Sequence, residues 1–376
     1  MSDYLPEALV LEILYRLPPK TLLICMSVCK AWKSTIKSHT FISSHLQKNL
    51  SNPTLSFLLI SHLPRSGDEE QYLCNGLHTI AKLRYSFPTP NGWGFRIRSV
   101  ATVNGVICLS DNLLSYTDFI VLWNPFIHKH IQLPIPIFTV QTLRSSCLFF
   151  LGLGFDSKKK DFKMVRVCYR RGQDARGVVP PLVELYSLNE GAWRIIDASS
   201  VDVRIVEHVR KQCFLHGNVH WLAYEGTQAP FQNCVLMFNV EEENFKKLKL
   251  PPELSSLYSF ELTISLINGC LSLVDYVHEV TTGVCNIWMQ RESESWNKMY
   301  SINLQSRIQK VFVSRTSDEI FAVPYGQSLH VFDSKTQKMT NLGIQGIARS
   351  FSISEYTQSL VLLDRENDAI CPINKR

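Results

Sequence analysis

The hydrophobic period changes once along this chain, and that change limits the folds open to it. Residues 1–50 place apolar side chains at helical spacing, whereas from about residue 54 onward they alternate every second residue. Leu9, Val10, Ile13, Leu14 and Leu17 share one helical stripe. Pro6 suits the first helical position, where its missing N–H costs nothing, and Glu7 complements the positive end of the helix dipole. Pro18-Pro19 breaks this helix and opens a second one carrying Leu22, Leu23 and Met26. A third stripe holds Val28, Cys29, Trp32 and Ile36, and Thr40 is placed to cap a short fourth turn with Phe41, Ile42 and Leu46. The expected organisation is a helical unit over 1–50 and a β unit over 54–376.

The β unit consists of short runs rich in β-branched and aromatic residues, among them Ile120 to Asn124, Met164 to Tyr169, Leu262 to Ile267 and Cys270 to Tyr276. Such strands, at regular spacing and with no long amphipathic helix between them, point to a sandwich, barrel or propeller. A faint repeat chooses among these. Val121-Leu122-Trp123-Asn124 runs through a turn into Ile131-Gln132-Leu133, and Val235 to Asn239 runs through a turn into Phe245 to Leu248. Related units surround Leu185 and Ile287, so the repeat length is roughly 50 to 60 residues, close to a four-stranded propeller blade. The repeat has neither the Gly-Gly doublet of kelch sequences nor a Trp-Asp dipeptide. The predicted fold is therefore a small all-α unit plus a large all-β domain, a degenerate five- or six-bladed β-propeller, with a large β-sandwich as the alternative.

Composition narrows the setting. With 45% hydrophobic and 19% charged residues, the chain of 376 residues can fill a sizeable core and is not mainly disordered. No apolar run reaches the ~18 residues of a membrane span. Asp3, Glu7 and Glu12 interrupt the N-terminal apolar residues, which argues against a signal peptide and for cytoplasm or nucleus. The 11 scattered cysteines look like small buried hydrophobes in a reducing compartment. A net charge of +6 permits anionic partners without demanding them, and gives little ground for nucleic-acid binding.

The run from Leu5-Pro6-Glu7 through Leu17-Pro18-Pro19-Lys20-Thr21-Leu22, followed by Val28-Cys29-Lys30-Ala31-Trp32 and Phe41, resembles the F-box over about 45 residues. The β unit resembles the plant F-box-associated interaction domain, of the S-locus and defence-related type. Its marks are Asn104 to Leu109, Leu122-Trp123-Asn124-Pro125, Gly152 to Asp156 with Asp161 to Val165, and Gly217 to Trp221. The family departs from this chain at Pro19, where a small apolar residue is more usual, and at Ile24 to Ser27. The resemblance implies a substrate receptor of an SCF-type ubiquitin ligase, without catalysis or cofactor. In it the F-box binds a Skp1-like adaptor, and through it cullin-1, while the β domain holds a target protein. Leu5, Pro6, Leu9, Ile13, Leu17, Pro18, Val28, Cys29 and Trp32 are then the adaptor-docking set. These residues are also more than so small a unit can hide, so they need a partner surface or must pack onto the β domain.

Other motifs fail on spacing. Cys25, Cys29, His39 and His45 fall on helical stripes where a zinc finger needs a hairpin. Gly152-x-Gly154 lacks the third glycine and the helix of a dinucleotide loop. His216 and His220 read as one face of a strand without a neighbouring ligand. The rival class is a propeller hydrolase whose F-box controls only its turnover; its candidate carboxylates are Asp111, Asp118, Asp156, Asp275 and Asp333, in unrelated contexts. The target surface is expected on the least strand-like segments, Ser66 to Leu77, Tyr85 to Arg98, Arg170 to Pro181 and Glu225 to Asn233. Trp93, Phe95, Arg170, Arg171 and Arg176 are the hot-spot residue types within them.

Overall fold

The computed structural model describes residues 6–52, 56–65, 69–75, 79–85, 97–111, 118–171, 179–207, 212–226, 231–276, 283–291, 295–304, 308–313, 319–324, 328–333, 336 and 338–366. Leu5, Trp93, Phe95 and Arg176 lie outside the described residues.

Four helices come first: α1 (Glu7–Arg16), α2 (Pro19–Cys25), α3 (Lys30–Lys37) and α4 (His39–Leu50). Pro6 stands one position ahead of its expected place, as the extended residue before the first turn. Val28 and Cys29 precede α3 instead of lying on it, and the Cys29 Sγ accepts the Trp32 N–H at 3.4 Å as a cap. Ser38, not Thr40, caps α4 by accepting the Phe41 N–H at 3.2 Å, and α4 runs for 12 residues where a short turn was expected.

Six antiparallel sheets follow, five of four strands and one of five, which settles the blade number at six. The first contains β1 (Ser56–His62), β2 (Glu70–Asn75) and β3 (Thr79–Lys82). The second is β4 (Ile97–Val103), β5 (Val106–Asp111), β6 (Ile120–Asn124) and β7 (Lys129–Gln132). The third is β8 (Cys147–Asp156), β9 (Asp161–Arg170), β10 (Leu182–Ser187) and β11 (Ala192–Ile196). In the fourth, the short strands β12 (Arg204–Ile205) and β13 (Cys213–Leu215) share the inner place beside β14 (Asn218–Glu225), then β15 (Gln232–Asn239) and β16 (Asn244–Lys249). The fifth is β17 (Leu262–Ile267), β18 (Cys270–Tyr276), β19 (Val284–Gln290) and β20 (Trp296–Asn303). The sixth is β21 (Ile308–Val313), β22 (Glu319–Pro324), β23 (Ser328–Asp333) and β24 (Lys338–Gln345). The last strand, β25 (Ser352–Thr357), pairs with β1 from Ser56 opposite Thr357 to Ser61 opposite Ser352, and so closes the ring. Glu70–Asn75 is thus strand, correcting the reading of 66–77 as loop; its Leu73 and Cys74 are buried against two different neighbouring blades.

The faint sequence repeat has a structural meaning: Leu122, Leu185, Leu236 and Ile287 all sit on the third strand of a blade. The recurring Asn-Gly or His-Gly pairs are the first hairpins of blades two, four and five. There Asn104 and Gly105, His216 and Gly217, and Asn268 and Gly269 all have positive φ, as a two-residue primed turn requires. Blade contacts are mainly apolar, with polar stitches between neighbouring blades. Trp193 on β11 donates its indole N–H to the Pro134 carbonyl at 2.8 Å, and Trp296 on β20 does the same to the Lys249 carbonyl at 3.2 Å. In each case an outer strand is tied to the outer edge of the preceding blade.

Strand direction fixes what lies at each end of the ring. Inner strands run toward the first hairpins, so those turns, Ser56 and Thr357 share one end. The helical unit, whose α4 ends at Leu50, joins there. Second-to-third hairpins and blade-to-blade connections open at the other.

Candidate functional site

The helical unit has two apolar faces with different fates. Leu14, Leu22, Ile36, Phe41, Ile42 and Leu46 are buried in one cluster with Ala101, Val103, Ile127 and Leu133 of blade two, and with Leu360 to Leu363 after β25. Asn49 donates its amide to the Gln358 carbonyl at 3.1 Å, and Lys20 lies over the Phe126 ring at 5.3 Å. His45, fully buried, bonds the Leu17 carbonyl at 2.9 Å; burial pulls its pKa down, which keeps it neutral.

The opposite face is bare. Leu9 is 51% exposed, Ile13 48%, Ile24 69% and Val28 62%, and Pro6, Pro18 and Cys29 are exposed beside them. These apolar side chains are left in solvent on α1, on the last turn of α2 and at the entry to α3. Leu17 and Trp32 differ from the rest of the expected docking set: both are half-buried and pack partly against the inner cluster. Ile24, which was not nominated, is the most exposed of the group; its place on the polar side of the α2 stripe was the available signal.

The expected target segments share one end of the ring. The strand ends that flank them, at His62, Arg170, Glu225 and Ile97, all open at the end away from the helical unit. Of the nominated residues described there, Arg170 closes β9 half-buried, and Arg171 follows it exposed. Phe231 and Tyr258, 40% and 70% exposed, stand at the same end on the neighbouring sheets and were missed, since isolated aromatics in turns carry no periodic signal.

The nominated carboxylates have separate structural partners. Asp156 takes Lys163 Nζ at 2.8 Å, and Lys163, itself buried, also reaches Glu243 at 2.8 Å and the Val240 carbonyl at 2.7 Å, locking blade three to blade four. Burial pushes the Asp156 carboxyl up, but the Lys159 amide and the Lys163 ammonium outweigh it and hold the acid below its usual range. Asp275 accepts the Asn286 amide and the Trp288 indole N–H, both at 2.8 Å. Asp333 accepts the Thr336 hydroxyl at 2.9 Å. Asp118 meets Arg166 at 3.3 Å, and Asp111 nearby is pushed up to about 7, chiefly by burial. These carboxylates are dispersed over four blades.

The nominated cysteines and histidines do not converge either: Cys29 is a cap, His45 is buried in the inner cluster, Cys25 packs partly there, and His39 is exposed. His216 occupies a turn while His220 is buried on β14, so they do not share a strand face as expected. Among the described residues no group of three or more His, Cys, Asp or Glu is placed to hold a metal. Gly152 and Gly154 serve packing. A Cβ on Gly152 would overlap the Trp221 indole and come within 2.9 Å of Val165, and one on Gly154 would overlap Val240.

Comparison with known proteins fits this two-part anatomy. Residues 3–44 match the F-box domain and residues 75–367 the F-box associated beta propeller domain. The F-box protein CPR1 of Arabidopsis thaliana is 24% identical over 380 residues, covering 95% of this chain and 89% of that protein. The F-box protein At3g07870 of the same plant is 27% identical, covering 80% of this chain and 73% of its own length. Among solved structures, an oligogalacturonate lyase in complex with manganese aligns with 73% of this chain and 70% of its own at 10% identity, with a TM-score of 0.39.

Proposed function

The chain belongs to the F-box-associated beta-propeller family and carries an F-box ahead of its propeller, and on that premise we propose that it is the substrate receptor of an SCF-type ubiquitin ligase. The F-box docks a Skp1-like adaptor, and through it cullin-1, while the far end of the propeller captures a target protein. The observation that carries this reading is the exposure of Leu9, Ile13, Ile24 and Val28 on a unit whose other apolar residues are already buried in a cluster with the propeller. Several large exposed aliphatics on so small a domain are expected to be covered by a partner.

The receptor does no chemistry of its own. It raises the effective concentration of a target near the ubiquitin-loaded enzyme, and a rigid connection between the two ends preserves that gain. The inner cluster and the Asn49 bond supply such a connection. This role places the protein in the cytoplasm or nucleus.

The test uses the full chain co-expressed with a Skp1-type adaptor. Leu9→Asp with Ile13→Asp should abolish co-purification while the melting profile stays that of the unaltered protein, because both side chains are about half exposed and lie outside the inner cluster. Undiminished co-purification would defeat the assignment.

A further inference from the structure

At the end of the ring away from the F-box, a cavity of about 100 Å³ opens between blades three and four. Its walls are Cys168, Tyr169 and Arg170 of β9, Val179, Pro180 and Leu182 at the entry to β10, and Arg204 of β12. Two arginines thus line a space whose other walls come mainly from apolar side chains. Arg204 lies over the Tyr169 ring, 5.0 Å from its centroid. The Nε of Arg170 is buried and meets no hydrogen-bond acceptor, and Arg170 makes no ion pair among the described residues. A desolvated guanidinium N–H without an acceptor is costly in a finished fold and calls for an anionic oxygen from outside.

Among the described residues, the neighbouring carboxylates are engaged by other cations. Asp202 and Glu225, the carboxylates closest along the fourth blade, are both engaged by Lys247, at 2.9 Å and 3.0 Å. Glu184 on β10 is held by Arg166 at 2.5 Å on the inner part of the blade. Arg171, exposed beside the mouth, adds a further positive charge. Next to the cavity stand two exposed apolar side chains: Val179, 41% exposed, and Phe231, which packs on Tyr224 at 4.8 Å between ring centroids, Tyr224 being the register partner of Arg204.

We propose that this cavity is a recognition pocket for an anionic side chain on the target protein, a carboxylate or a phosphorylated residue, with an adjacent apolar residue of the target resting on Val179 and Phe231. The planar fork of arginine suits either oxyanion, and the apolar walls strengthen the pairing by excluding water. The inference rests on the receptor reading for its biological meaning but not for its chemistry, which binding to the isolated full chain can check.

The probes are four fluorescein-labelled pentapeptides with the cores Glu-Phe, phosphoserine-Phe, Gln-Phe and Lys-Phe, followed by anisotropy. The expected result is binding of one or both acidic cores, weakened at least about tenfold by Arg170→Gln with Arg204→Gln and weakened again by added salt, with the Gln and Lys cores unbound. The stronger of the two acidic cores identifies the source of the anion. Arg171→Gln, at an exposed position that leaves folding untouched, should weaken binding by a smaller factor. Equal binding of the Glu and Gln cores, no effect of any arginine change, or no binding of either acidic core overturns the proposal. Adaptor co-purification is measured on the same variants: its loss in the unaltered protein would sink the receptor reading, whereas acidic peptide binding that depends on the arginines would leave the pocket standing.

Discussion

His220 illustrates how a single buried side chain ties stability to pH. Its Nδ1 lies 3.3 Å from the Cys213 carbonyl, and desolvation, stronger than that contact, lowers its pKa to about 4. His45 and His62 are shifted the same way, again with burial as the leading cause. Each is neutral in the fold but takes up a proton more readily once unfolded, near the ordinary value of about 6.5. The unfolded chain therefore binds more protons between about 6.5 and 4, and stability must rise with pH across that window. Melting temperatures measured from pH 7 down to 4.5 should fall steadily, and His220→Gln should flatten the slope. An unchanged slope would mean that His220 does not carry it. The sequence pairs His220 with His216 on one strand face, but its burial and the Cys213 carbonyl beside it depend on tertiary packing that no local pattern encodes. Leu362 is a similar case: its backbone is left-handed at φ 75°, yet its side chain is buried in the cluster that joins the F-box to the propeller.

Elements were more legible than their ends. Leu262–Ile267 and Cys270–Tyr276 fall where alternation and an Asn-Gly turn put them, because local pleat and turn chemistry decide such hairpins. β2 was hidden, since Glu70 and Gln71 make its start polar although Gln71 is buried. Helix starts moved by a residue or two because capping depends on side chains reaching back, as Cys29 and Ser38 do. The paired turns also separate two roles of glycine. Gly105 and Gly269 have similar φ, 78° and 71°, but a Cβ at Gly105 would overlap Ser359 and the Thr357 carbonyl, while one at Gly269 meets nothing within 4 Å. Gly269→Ala should cost only the left-handed strain, about 1–2 kcal/mol. Gly105→Ala should cost that plus about 1–3 kcal/mol of overpacking. Urea denaturation of the two variants measures the difference, and equal losses would contradict the packing role of the Gly105 turn.

At the scale of the whole molecule, ring closure was the least readable feature. It pairs Ser56 with Thr357, nearly the full chain apart, and no local pattern encodes such a contact. The segment after β25 then does two things. Asn124 donates to the Ser359 and Val361 carbonyls at 3.0 and 2.9 Å, and Leu360 to Leu363 fill the space beneath α4 and the other F-box helices. Six buried F-box side chains share one apolar cluster with blade two and the segment after β25, so the helical unit and the propeller have a common core. The exposed apolar side chains are more readable: most of the residues the F-box resemblance singles out on α1 and before α3 are left in solvent, with Leu17 and Trp32 turned partly inward.

Hydrogen exchange on the full chain, with and without a saturating Skp1-type adaptor, tests the two-ended receptor most directly. The account predicts new protection over Glu7–Arg16 and 24–32, where the bare aliphatics lie, with the far end around Arg170, Arg171, Phe231 and Tyr258 unchanged. Protection centred on that far end, or none over Glu7–Arg16, would contradict it.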